Sequence, residues 1–376
     1  MIMPFILLTA IFLIPALLQR EKDNDFRQRE LSRKYYIIFI CVLFGLQSGL
    51  RGMSVGADTA QYYNRFLIIE LTPFSTIWEE FIGRFWENTN NFKDPGYNLF
   101  TKAFQFFSTD YQLFLLFVAA IFFSSLGYFI YKNTRYIQDA VFAFLLYLLI
   151  FYSFFSVTGI RQTLATAIWM WCFELAKRKK LVPFLLLWVV AYMFHNSTVA
   201  VLPAYFIIQI RKTYAWFTTA LFVFPLIMLL RVPFANFLGS LSGYESDELD
   251  TGGAYTFTLL CLIVAIVARF RMIQTLKLFP DDARLYNLFA VAIAFLPLLW
   301  VHPMYMRVIQ YYSIFLMILF PDILRSFYAH TATADQAVYR KNMRRAHIQY
   351  MVVCFTMALF FFYKSMNYHY IFFWQE

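Results

Sequence analysis

Residues 111–131 read YQLFLLFVAAIFFSSLGYFIY, with Asp110 just before the run, Lys132 just after it, and no Asp, Glu, Lys, Arg or His inside it. The hydrocarbon core of a bilayer takes about 20 such residues as an α-helix. A helix is required because lipid offers no partner to a bare backbone N–H or C=O. Blocks of the same character recur at residues 2–19, 35–50, 138–157, 160–177, 181–194, 197–210, 214–231, 254–270, 285–300, 304–324 and 346–364. The two blocks flanking His195 are short, and they read either as two spans or as one broken, re-entrant element. The first block has no charged leading region and no small-residue cleavage site before Gln19-Arg20, so it reads as a span and not as a cleaved signal peptide. The expectation is an all-α fold: a polytopic integral membrane protein of about 10–12 transmembrane helices, one membrane domain over residues 1–376.

Composition excludes a soluble protein. Hydrophobic residues make up 61% and charged residues 14% of the chain, where soluble domains carry about 25% charged residues. The net charge of +10 would suit a nucleic-acid surface, but its distribution points elsewhere. With the N-terminus outside, 23 of the 32 basic residues fall in inner loops, as the preference of Lys and Arg for the cytoplasmic side predicts. Lys177 to Lys180 and the stretch from Arg20 to Lys34 are the densest groups. That orientation leaves two long outer segments: residues 51–110, partly amphipathic around Trp78 to Trp86, and residues 232–253, ending in the acidic run Tyr244 to Gly253. Cys41, Cys172, Cys261 and Cys354 all lie within apolar blocks without metal-ligand spacing, so they read as packing residues, and no metal is expected.

Three arginines break the inside preference. Arg51 in SGLRGM, Arg161 in TGIRQTL and Arg307 in MYMRVIQYY each sit at the outer edge of a span. Any one of them is accounted for by a side chain snorkelling to water or headgroups. Together on one face, they offer guanidinium forks that match phosphate oxygens bidentately. His195 ends an apolar helix at the same face, and a histidine in that place serves as a structural hydrogen-bonding group or as a general base. His302, five residues before Arg307, competes with it. Asp58 in VGADT either caps a helix starting at Thr59 or faces an arginine or a sugar hydroxyl. Tyr62 and Gln162 are accessory candidates. No Walker loop, GxGxxG, GxSxG or HExxH occurs, so a nucleotide-driven reaction is not indicated.

Four segments carry a resemblance. They are LRGMSVGADTAQYYNRF (residues 50–66), KDPGYNLFTKAFQFFSTDYQLF (93–114), SVTGIRQTLATAI (156–168) followed by AYMFHNSTVAVLPAY (191–205), and MRVIQYYSIFLMILFPDIL (306–324). In order and content they resemble the EpsG-like family of exopolysaccharide polymerases, related in role to Wzy-type O-antigen polymerases. Where relatives usually carry Glu-Pro-Gly or similar, this chain has Asp94-Pro95-Gly96, a departure that counts against a catalytic role for Asp94. The resemblance implies a glycosyltransferase of the plasma membrane whose active site faces the periplasm or exterior. Its substrate would be an undecaprenyl-pyrophosphate-linked glycan, handed over by a flippase and limited by a chain-length regulator, with no cofactor. On that scheme Arg51, Arg161 and Arg307 hold the pyrophosphate, and His195 or Asp58 takes the acceptor proton. The alternatives are a lipid-linked glycan flippase, which would want charges at the bilayer midplane, and a ligase using the same arginines for another acceptor.

Overall fold

The computed structural model describes residues 2–18, 26–86, 94–242, 254–327, 336–365 and 370–376. The acidic run Tyr244 to Gly253 and Lys93 lie outside these residues. Every element among the described residues is helical, apart from one isolated antiparallel bridge between Arg51 and Phe372. The chain divides into two compact units, Met1–Leu202 with Thr356–Glu376, and Pro203–Phe355.

The first unit contains α1 (Ile2–Leu18), α2 (Phe26–Gly49), α3 (Thr59–Leu71), α4 (Phe74–Trp86), α5 (Pro95–Gln105), α6 (Tyr111–Asn133), α7 (Ile137–Leu146), α8 (Ile160–Lys177) and α9 (Leu181–Phe194). The second unit holds α10 (Ala204–Ile207), α11 (Thr213–Leu229), α12 (Arg231–Ser242), α13 (Tyr255–Leu278), α14 (Ala283–Phe295), α15 (Tyr305–Ser313) and α16 (Leu316–Ser326), and it includes the first part of α17 (Gln336–Ser365).

Among the described residues, four helical stretches are long and apolar enough to cross a membrane: Tyr111–Asn133, Tyr255–Leu278, Pro280–Trp300 and Ile348–Ser365. Two bent pairs, α11 with α12 at 92° and α15 with α16 at 48°, raise the number to six if each is one span. The other apolar blocks of the sequence fold as helices that are shorter or more charged. At 14 residues, α9 covers about 21 Å at 1.5 Å per residue, short of a core of about 30 Å. The block after His195 becomes a 3₁₀ turn, Asn196–Val201, and the four-residue α10. Segment 232–253 begins within α12, and residues 51–110 hold three of the helices, α3, α4 and α5.

Two of those helices, α3 and α5, are docked on α6 and α8 by aromatic packing. Tyr62 and Phe66 of α3, Tyr97 of α5, Tyr111, Phe114, Leu115 and Val118 of α6, and Ile160 and Leu164 of α8 form one buried cluster. Rings meet edge-on at 5.4 Å between Phe66 and Tyr111 and at 5.8 Å between Tyr62 and Tyr97. Side chains of α5 also bond carbonyls in the last turns of α3: Lys102 Nζ donates to Ile69 O and Glu70 O, and Gln105 donates to Phe66 O. Asp110 caps α6, accepting from the N–H groups of Gln112 and Leu113 at 2.7 and 3.1 Å.

Between α7 and α8 the helix widens into π turns, Tyr147–Phe151 and Ser153–Thr158. Such turns release carbonyls from the regular ladder. Thr163 Oγ1 takes Phe155 O at 3.1 Å and Ser48 Oγ takes Ser156 O at 2.6 Å. A loop in this region would leave α8 loosely attached; here its first turn is tied to the end of α2.

Candidate functional site

Four chain segments end near one another in the first unit: the turn before α3, the start of α5, the start of α8 and the end of α9. Their meeting is enforced by close packing at Gly96. A methyl group built there would lie 2.6 Å from Met193 Cβ and 2.9 Å from its backbone C and O, so only glycine lets α5 approach α9 this closely. Pro95 stands at the first position of α5, where its missing N–H costs nothing. Asp94 takes the left-handed conformation, φ 56°, which short polar side chains tolerate better than most.

That geometry turns the Asp94 carboxylate, 1% exposed, into the gap between α8 and α9. One oxygen forms an ion pair of 2.7 Å with Arg161 Nη1, and the other accepts from the Asn196 backbone N–H at 3.0 Å. The Arg161 side chain remains 32% exposed. Its guanidinium carbon stands 5.6 Å from the centre of the Tyr62 ring, and its Nε donates to the Tyr62 hydroxyl at 3.5 Å. The cation is therefore held from behind by a buried carboxylate and an aromatic face while its open side stays accessible. Behind it, burial pushes the Tyr97 phenol well above its usual range, so this ring is neutral at any physiological pH.

His195 closes α9 and is buried. Its Nδ1 accepts from the Ser197 N–H at 3.1 Å and sits 2.9 Å from the Ser197 hydroxyl. A backbone N–H always donates, so the neutral ring carries its hydrogen on Nε2 and presents a donor there. Of the two roles open to this ring in the sequence, structural hydrogen bonding and general base, its contacts with Ser197 show the first.

Arg51 is 3% exposed and turned inward. Its Nη1 donates to Ser48 O and Ser156 O, joining the end of α2 to the π turn before α8. The guanidinium lines a cavity of about 10 Å³ with Leu115, Phe122, Gly159 and Thr163, room for about one water and not for a phosphate. Asp58 is half-buried at the start of α3 but makes no side-chain cap, and its carboxylate has no hydrogen-bond partner among the described residues. The carboxylate facing Arg161 is thus Asp94, which sequence reasoning had set aside. The signal was there in the helix-start pattern Asp-Pro-Gly, but the pairing needed the fold. Gln162, one residue along α8, is buried at 1%.

Arg307 and His302 belong to the second unit. Arg307 is exposed in the first turn of α15, and His302 Nδ1 accepts from the Met304 N–H at 3.0 Å, the same local arrangement as at His195. Among the described residues, no group of three His, Cys, Asp or Glu is gathered to hold a metal ion.

The fold defines an all-α membrane protein, and the site is an arginine poised against a buried carboxylate where helix ends converge. The chain belongs to the EpsG family, whose sequence model matches residues 34–375. No curated protein and no solved structure matches it. Membership carries a general role in exopolysaccharide or O-antigen polymerisation, acting on a lipid-linked glycan at a membrane.

Proposed function

We propose that this protein is a polysaccharide polymerase of the plasma membrane that works on its outer face, transferring a growing glycan from undecaprenyl pyrophosphate to a lipid-linked repeat unit. The observation carrying this reading is Arg161, fixed by a buried Asp94 and by Tyr62 yet open on its remaining side. A guanidinium so placed serves an anion that arrives from outside, because its own counter-ion is already in position and no reorganisation is needed when charge develops.

In the reaction, a hydroxyl of the acceptor sugar attacks the anomeric carbon of the donor glycan. The bond from that carbon to the phosphate oxygen breaks, its electron pair leaves with undecaprenyl pyrophosphate, and the acceptor proton passes to a base. Arg161 stabilises the leaving pyrophosphate, and Arg51 holds the start of α8 from behind; Arg307 is assigned separately as a phosphate-binding residue of the second unit. The donor Nε2–H of His195 supports assigning this ring to a phosphate or sugar oxygen, and the unpartnered carboxylate of Asp58 supports assigning the base role there. Tyr62, Gln162 and His302 are accessory. No cofactor enters the scheme. A flippase would deliver the substrate, and a chain-length regulator would set when transfer stops.

The test is complementation of a polymerase-deleted strain, with surface polysaccharide resolved by length. Wild type restores a ladder; Arg161→Ala, at equal membrane level, reduces it to single repeat units. His195→Gln, whose amide N–H reproduces the Nε2 donor, retains part of the ladder, and His195→Asn, which reproduces only the Nδ1 acceptor, does not. A full ladder from Arg161→Ala refutes the assignment.

A further inference from the structure

The segment Tyr370–Glu376 crosses the Leu50–Ser54 loop of its own unit as a short antiparallel pair. The Gly52 N–H donates to Ile371 O at 3.0 Å and the Phe373 N–H to Leu50 O at 3.1 Å, with Arg51 bridged to Phe372 between them. Beyond the bridge, the Glu376 carboxylate accepts from the Ser54 N–H at 2.8 Å and the Ser54 hydroxyl at 2.9 Å. Phe372 and Trp374 stack at 4.4 Å and 6° on the outside, and the Tyr370 hydroxyl donates to Gln47 O. Gly52 is the residue that admits this crossing: a methyl there would stand 2.6 Å from Glu376 Oε1 and 3.2 Å from Ile371 Cγ1. An isolated pair of strands is marginal in water, so the ring stack and the carboxylate clamp are what keep it closed.

We propose that Tyr370–Glu376 is a strap that positions Arg51, and that Glu376 is its positioning residue. The strap fixes the backbone on both sides of Arg51, and the inward guanidinium then ties Ser48 O to Ser156 O, three residues before Gly159 and the first turn of α8. Release of Glu376 frees the Leu50–Ser54 loop, exposes Arg51 and loosens the turn that aims Arg161. The functional consequence rests on the polymerase reading; the geometry of the strap does not. Desolvation opposes the charged form of Glu376, but the Ser54 and Met53 N–H groups and the Ser54 hydroxyl outweigh it and hold the carboxyl below its ordinary range. A depressed value means that the clamp is at full strength above pH of about 4.3 and weakens as pH falls through the lower folded value.

The experiment uses full-length protein in nanodiscs and phenylglyoxal, which modifies accessible guanidinium groups, with Arg51 modification read by mass spectrometry. Arg51 is protected in wild type. Glu376→Ala raises its reaction rate about tenfold, while Glu376→Gln, which keeps an acceptor oxygen for Ser54, leaves it protected. In the complementation assay, Glu376→Ala shortens the ladder and Glu376→Gln restores it. Equal Arg51 protection in Glu376→Ala and wild type overturns the strap. An exposed Arg51 together with a full ladder from Arg161→Ala overturns the polymerase reading and leaves the strap standing.

Discussion

Asp94 and Arg161 are unequal partners, because one is cut off from water and the other is not. Removing Arg161 strips the 1%-exposed Asp94 carboxylate of the cation paired with it at 2.7 Å. An uncompensated buried charge costs about 3–5 kcal/mol. Removing the charge of Asp94 instead leaves a guanidinium that is 32% exposed and can be hydrated, a loss nearer about 1 kcal/mol. Arg161→Ala therefore destabilises the purified protein by about 3 kcal/mol and Asp94→Asn by about 1 kcal/mol in a denaturation titration. Adding Asp94→Asn to Arg161→Ala recovers most of the loss, since the buried charge is then gone. Equal single-mutant losses that add in the double variant would show that the pair is not coupled. Nothing about this hierarchy was visible in the sequence: Asp58 and Asp94 are both acidic residues of segment 51–110, and burial separates them.

At the scale of elements, the short helices do the positioning. Neither α5 nor α9 has the length for a membrane core, yet their ends meet at Gly96 and Met193 and bring Asp94 to Asn196. Gly96→Ala forces a contact of 2.6 Å that can be relieved only by separating the two helices. The expected penalty is about 1–3 kcal/mol, with a shortened polysaccharide ladder because Arg161 loses its backing. A thermal-unfolding midpoint unchanged from wild type would show that α5 shifts freely. The periodicity of the sequence marked residues 51–110 only as an amphipathic outer segment, since helices this short take their stability from aromatic docking on α6 and α8 and not from intrinsic propensity. The π turns before α8 were equally illegible. They show in the sequence only as more apolar residues.

For the whole molecule, polar groups mark both ends of α6. One end begins at the Asp110 cap, beside the Arg161 cluster. At the other, Arg33 donates to Tyr131 O at 2.9 Å and to Thr134 Oγ1 at 3.0 Å, and Lys177 pairs with Glu174 at 2.7 Å. The preference of Lys and Arg for the inner side makes the second end the one expected in the cytoplasm. Phe107, 90% exposed near the Asp110 cap, and Lys179, exposed after α8, are therefore suited to a topology test. In intact spheroplasts, Phe107→Cys reacts with a membrane-impermeant maleimide and Lys179→Cys reacts only after lysis. The reverse pattern would invert the protein and remove its site from the outer face.

The sequence by itself determined that the chain is a helical membrane protein, with its basic residues gathered in the segments between apolar blocks. Those properties follow from the cost of placing charge and bare backbone in hydrocarbon, and each residue meets that cost according to its own chemistry and its neighbours along the chain. Only the tertiary structure decided that Asp94 is the partner of Arg161, that Arg51 faces inward, and that Glu376 reaches back to Ser54. Each of these depends on segments far apart in the chain, 67 residues for the ion pair and 322 for the clamp. Such pairings are set by close packing at Gly96 and Gly52, where a single added methyl group would forbid the approach.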